Sequence, residues 1–234
     1  MSKLDLYSVR ATAKSIRKRE IMLKLAAVIA FVSISILLVF YGLVAFANSI
    51  GNFTVKISEE DEQYAISICE NSSFDNPTTL LHADVLDSMD NITESWIDED
   101  VDQIDGAHNG KNYIAYTFYV KNVGSKPIDY SAEIEILSVK KNADEAVRVK
   151  VYKNGVATTY AKPQKNSTIP EPNTTPFYST KMVMSQINEH FLAGSIDKYT
   201  IVIWLEGNDP ECIDNIRGGH VRMTMHLEVF SVED

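Results

Sequence analysis

Beyond residue 50, apolar and polar residues alternate along most of this chain. One segment near its start does not alternate at all. From Leu25 to Ala47 it reads LAAVIAFVSISILLVFYGLVAFA, 23 residues without a charge. At about 1.5 Å of rise per residue, such a helix spans roughly the 30 Å of a bilayer's hydrocarbon core. Ser33, Ser35, Tyr41 and Gly42 interrupt it, and serine can bond back to its own helix backbone. Two readings stand: a permanent transmembrane anchor, or a signal peptide cut at the small-x-small sequence Ala45-Phe46-Ala47. The run is longer than the usual signal core of roughly 7–15 residues, which favours the anchor.

Strand-period patterning begins after this run. Phe53, Val55 and Ile57 alternate with Thr54 and Lys56, and Tyr64, Ile66 and Ile68 with Ala65 and Ser67. KNYIAYTFYVKN (111–122) puts Ile114, Tyr116, Phe118 and Val120 on one face. The next strand turns Ile128, Tyr130, Ala132, Ile134 and Ile136 one way. In AVRVKVYKNG (146–155), Val147, Val149 and Val151 point inward and Arg148, Lys150 and Lys153 outward. Asn154-Gly155 is a favoured two-residue hairpin turn, because both central residues need positive φ. Residues 162–177 hold Pro163, Pro170, Pro172 and Pro176, which exclude a central strand. Residues 180–192 read as a short helix or irregular turn. YTIVIWLEG (199–207), apolar on both faces, reads as a central strand, and HVRMTMHLEVF (220–230) closes the domain. The prediction is a mainly β fold, an antiparallel β-sandwich of jelly-roll or immunoglobulin-like topology, preceded by one transmembrane helix.

Charge adds an orientation. Residues 1–47 carry a net +5, from Lys3, Arg10, Lys14, Arg17, Lys18, Arg19 and Lys24 against Asp5 and Glu20. The remainder carries −15. A basic flank before an apolar helix keeps the N-terminus in the cytoplasm and exports the domain beyond the helix. The predicted layout is a basic cytoplasmic segment 1–24, a helix or signal-anchor 25–47, and an extracytoplasmic domain 48–234. Residues 1–20 read as a flexible basic flank or a short amphipathic surface helix. The acidity of the domain argues against nucleic acid as a partner. The membrane is the expected partner, with self-association or protein partners open.

Candidate chemistry is sparse. Asp98, Asp100, Asp102 and Asp105 stand before Gly106. Clustered loop carboxylates can supply calcium's oxygen ligands, but Gln103 breaks the EF-hand template, and a solvated loop or an N-capped turn around Ser95–Ile104 is the plainer reading. Cys69 and Cys212 are either one long-range disulfide or two thiols. His82, His108, His190, His220 and His226 are scattered, with His220 and His226 on one face of a strand. There is no HExxH, GxSxG, P-loop or GxGxxG, so a non-enzymatic protein is expected, with no cofactor unless calcium.

Three stretches together, 116–134, 144–155 and 194–212, resemble the TasA/camelysin group of exported bacterial proteins. Asn122-Val123-Gly124 and the run from Gly194 to Leu205 occupy the places of that group's turn and late-strand motifs. The resemblance implies a jelly-roll-like cell-surface or matrix protein, with assembly into fibres by strand exchange. Camelysin-type members are classed as metalloproteases, and no HExxH here carries that activity over.

Overall fold

The computed structural model describes residues 21–41, 53–58, 66–84, 86 and 88–232. The chain divides into two compact units, Met1–Ser49 and Ile50–Asp234. In the first, helix α1 (Ile21–Tyr41) is long and apolar enough to cross a membrane, and a signal sequence near an N-terminus shares those properties. It reaches further upstream than the uncharged run and takes in Lys24. Ser33 Oγ donates to Ile29 O and Ser35 Oγ to Phe31 O, each at 2.9 Å, so neither hydroxyl needs water. Residues 1–20 and the Ala45-Phe46-Ala47 sequence lie outside the described residues.

The second unit is mainly β. Its strands are β1 (Phe53–Ile57), β2 (Ile66–Cys69), β3 (Leu80–His82), β4 (Gly106–Ala107), β5 (Tyr113–Asn122) and β6 (Ile128–Lys140). They continue with β7 (Val147–Lys153), β8 (Val156–Ala161), β9 (Thr175–Pro176), β10 (Met182–Phe191), β11 (Ile196–Leu205) and β12 (His220–Val232). One sheet has the order β10-β6-β12-β1-β3. The other runs β2-β5-β11-β7-β8-β9, with β4 also on β5. Inward residues of both sheets meet in one core, where Phe118 stacks on Tyr199 at 5.5 Å between ring centroids.

Three expectations need correction. The sheets are mixed rather than purely antiparallel: β1 pairs in parallel with β12, and β8 with β9. Alternation sets which face a side chain takes, not the direction of the neighbouring strand, so this was invisible in the sequence. Residues 182–191 form strand β10, not a helix or irregular turn. Its pairing with β6 slips between Met182 and Met184 and again between Asn188 and Phe191, so buried Val183, Met184, Asn188 and Phe191 break the two-residue period. Lastly, β5 is buried on both faces. Tyr113 and Ala115 join Ile92, Val101, Val202 and Trp204 in a second apolar cluster on the outer side of the sheet.

That second cluster explains the acidic segment. Residues 90–105 cross the outer face of β5 and β11 through two 3-10 turns, Glu94–Trp96 and Val101–Gln103. Ile92 and Val101 supply the apolar contacts. His108 pins the far end, with its ring nitrogens 2.8 Å from Gly106 O and 2.8 Å from Val101 O.

Candidate functional site

Arg148 lies on the face of β7 opposite the core valines, beside Trp204 of β11 and Ala161 of β8. Its neighbours belong to two loops. The segment after β11 folds back on itself: Asp209 N donates to Glu206 O at 3.2 Å and Cys212 N to Asp209 O at 3.0 Å. Asp209 Oδ1 accepts from Glu211 N at 2.8 Å, so the aspartate shapes its own turn. Its other oxygen accepts from Arg148 Nη2 at 2.5 Å. The proline-rich loop brings Glu171 Oε2 to 3.7 Å from the same nitrogen. Trp204 Nε1 donates to Glu206 Oε2 at 3.0 Å and closes one wall.

The result is a cleft of about 520 Å³, lined by Glu94, Arg148, Glu171, Trp204, Glu206 and Asp209 among others. The Arg148 and Asp209 side chains are only 5% and 0% exposed. Water cannot solvate these charges, so each depends on the other. Burial, and then the Asp209 charge, push Glu171 above the usual carboxylate range; Arg148 opposes this. Glu211 is also raised, first by its hydrogen bond with Asp209. Carboxylate oxygens of Glu171, Asp209 and Glu211 all lie within 4.8 Å of one another, the only such trio of His, Cys, Asp or Glu among the described residues. One guanidinium against the four lining carboxylates of Glu94, Glu171, Glu206 and Asp209 leaves the cleft anionic, and its complement is a cationic group.

No histidine lines the cleft. Burial raises the Cys212 thiol, opposed by a hydrogen bond with Asn91 and reinforced by Asp209 and Glu206, so the thiol stays protonated and weakly nucleophilic.

The sequence-predicted residues lie elsewhere. Asp98, Asp100, Asp102 and Asp105 do not converge as a ligand set. Asp98 accepts from Tyr113 OH at 2.6 Å, and Asp105 from Tyr119 OH at 2.6 Å. Asp102 Oδ1 accepts from Gln103 Nε2 at 2.9 Å, and its backbone carbonyl from Lys198 Nζ at 2.5 Å. Asp100 precedes the second 3-10 turn, its carbonyl accepting from Gln103 N. These groups fasten the acidic segment to the sheet. Burial first, and the aspartate partners next, push Tyr113 and Tyr119 up to about 12, so both remain neutral donors.

Cys69 and Cys212 are free thiols, the first buried in β2 and the second half-buried in the loop after β11. The long-range disulfide is therefore not formed. His226 lies with Nε2 3.3 Å from Glu135 Oε2, without hydrogen-bond alignment, and His220 Nε2 is 3.5 Å from Ser138 Oγ. Neither joins a metal-ligand group. Sequence reasoning placed Arg148 in solvent and passed over Glu171 and Asp209. The available signal was Asp209-Pro210-Glu211 immediately beyond a strand apolar on both faces.

No known protein family matches this chain, and no curated protein matches it. Among solved structures it is similar to a selenomethionine-labelled beta-glucosidase from Kluyveromyces marxianus, at 12% identity and a TM-score of 0.27. The match covers 73% of this chain and 17% of that one. The beta-glucosidase from the same organism in complex with glucose matches at 11% identity and a TM-score of 0.22, over 69% of this chain and 15% of that one. The chain spans a small part of those proteins' length, and likeness at this level carries no argument.

Proposed function

We propose that this is a membrane-anchored protein whose domain, a β-sandwich, stands outside the cytoplasm as a non-enzymatic structural or adhesive part of a bacterial cell envelope. One observation carries the reading: the uncharged stretch of α1 separates a basic N-terminal segment from an acidic, mainly β unit. The positive-inside tendency orients that arrangement with the β unit exported. A core drawn from both sheets supports the sandwich. The resemblance to TasA and camelysin points the same way, and a cut after Ala47 would turn the same domain into a released matrix subunit.

Protease treatment of spheroplasts tests the topology. A tag after Asp234 should be digested from outside, while a tag before Met1 is digested only after lysis. The reverse pattern, or protection of both tags, overturns the proposal. N-terminal sequencing separates anchor from matrix subunit: a mature chain beginning at Asn48 establishes release.

A further inference from the structure

A second polar cluster lies at the opposite end of β7 from Arg148, on the side that faces the core. Lys153 follows Val147, Val149 and Val151 on that face, and its Nζ donates to Asn188 Oδ1 of β10. The same Nζ is 3.3 Å from Asp197 Oδ2 of β11. Tyr130 of β6 donates its hydroxyl to that carboxylate oxygen, and Asn154 Nδ2 donates to the other at 2.7 Å. Asn188 Nδ2 donates to Tyr199 OH at 3.4 Å, and the two tyrosine hydroxyls are 3.0 Å apart. The rings flank the amine, with Nζ 6.0 Å from the Tyr130 centroid and 5.9 Å from that of Tyr199.

The cluster is largely shielded. The Lys153 side chain is 25% exposed and that of Asp197 11%, and Asn188 as a residue is 7% exposed. Burial pushes both phenols well above their ordinary value, with Asp197 adding to the shift, so they remain neutral beside the carboxylate. A lysine–aspartate ion pair needs no third partner. Here a primary amide touches the amine, while a carboxylate on the same nitrogen is placed to take its proton. Held amine, amide and proton acceptor are the parts of an acyl transfer, and fixed proximity replaces the collision it would otherwise require. Asn188 stands in register with buried Met184 and opposite buried Tyr130 of β6, which gives it its place facing the core; the register slips only beyond it, where His190 has φ 54°.

We propose that Lys153 and Asn188 become joined by an intramolecular amide bond, with Asp197 as the proton-transferring catalytic residue. Lys153 Nζ gives a proton to Asp197, and its freed lone pair attacks Asn188 Cγ. The Cγ–Nδ2 bond breaks, and the protons shed by Nζ pass through Asp197 to the leaving nitrogen. An alkylammonium and a primary amide become a secondary amide and an ammonium ion. No oxidant, nucleotide or metal enters the balance. Ammonia leaves through the open cleft beside the cluster, lined by Lys153, Asn188 and Asp197. The bond ties β7 in one sheet to β10, an edge strand of the other, and closes a loop holding β8, β9 and the proline-rich segment. It is independent of the proposed address of the protein, and reductants leave it intact.

Peptide mapping of the full-length chain, extracted in detergent, denatured and digested with trypsin, tests this. The expected product is one branched peptide joining the segments around Lys153 and Asn188, lighter than their sum by one ammonia. Two linear peptides of unaltered mass overturn the proposal and leave a non-covalent ion pair. A Lys153→Arg chain should show no ammonia loss; loss that persists there identifies a succinimide at Asn188 and also overturns it. Asp197→Asn should abolish the branch with both reacting residues present, and a branch that survives removes Asp197 from the reaction. Because the bond forms only in folded chain, a cooperative urea transition followed by Trp204 fluorescence must first show that each variant folds; a folded Asp197→Asn chain without the branch then speaks for Asp197 itself.

Discussion

Arg148 sits where strand alternation predicts a solvated cation, and is instead held without water by Asp209. Removing Asp209 leaves the buried Arg148 charge with only Glu171, at 3.7 Å and with a raised pKa, to compensate it. Asp209→Asn should therefore cost about 3 kcal/mol, whereas replacing both Arg148 and Asp209 by apolar residues should cost much less. Urea titration of the detergent-solubilised chain, followed by the fluorescence of the adjacent Trp204, measures both. His226 gives a pH dependence. Burial lowers its pKa first and Lys56 lowers it further, while Glu135 and Glu133 oppose. The folded chain then binds fewer protons than the unfolded chain between the lowered value and about 6.5. That share of stability is present above the unfolded value and is lost as pH falls toward the folded one. Tm should drop as pH falls below about 6.5, and His226→Gln should shed part of that slope; an equal slope in both chains would clear His226. The aspartates of residues 98–105 show why chemistry was harder to read than pattern. Their spacing suggested a ligand set, but Tyr113 and Tyr119 of β5, the strand this segment lies over, claim two of them.

Among the elements, those with an uninterrupted two-residue period were legible. The apolar core faces of β5, β6 and β7 came directly from alternation, although Lys153, expected outward, shares the inward face of β7, and β11 was recognised as central because both its faces are apolar. The turn after β7 was legible too, since Asn154 and Gly155 take φ values of 51° and 82°. Gly155 has nothing within 4 Å of where a Cβ would stand. Any cost of Gly155→Ala is then backbone strain alone, about 1 kcal/mol, read from the shift of a urea midpoint at unchanged slope. Asn154→Ala would in addition strip Asp197 of a hydrogen bond. What escaped was β10, where two slips of register erase the period, and the pairing of strands distant in the chain. A bulge adds a residue to one strand without leaving a mark in composition. The Arg148 cleft was missed for a related reason: alternation sorts residues into two faces and takes the outer one to be wet. The outer face here is covered by the acidic segment and roofed by the loop after β11.

For the whole molecule, an apolar helix near the start was legible, with the described helix matching the predicted run over Leu25–Tyr41 and beginning further upstream, because apolar length is a property of composition. The two-sheet arrangement was legible only as a class, since no local pattern says that the domain's first described strand lies against its last. Yet β1 and β12 run side by side and parallel, with Phe53 opposite Met223 and Ile57 opposite Leu227. The N-terminal end of β1 and the C-terminal end of β12 therefore lie at opposite ends of one ladder. If the chain is held at its start and pulled at its far end, the load slides the two strands along each other. The hydrogen bonds between them then carry that load together, where a hairpin pulled from its open end would release them one after another. The order of the strands thus makes the junction of the two ends resistant to shear, a useful property in a domain held by one end and tugged by the other.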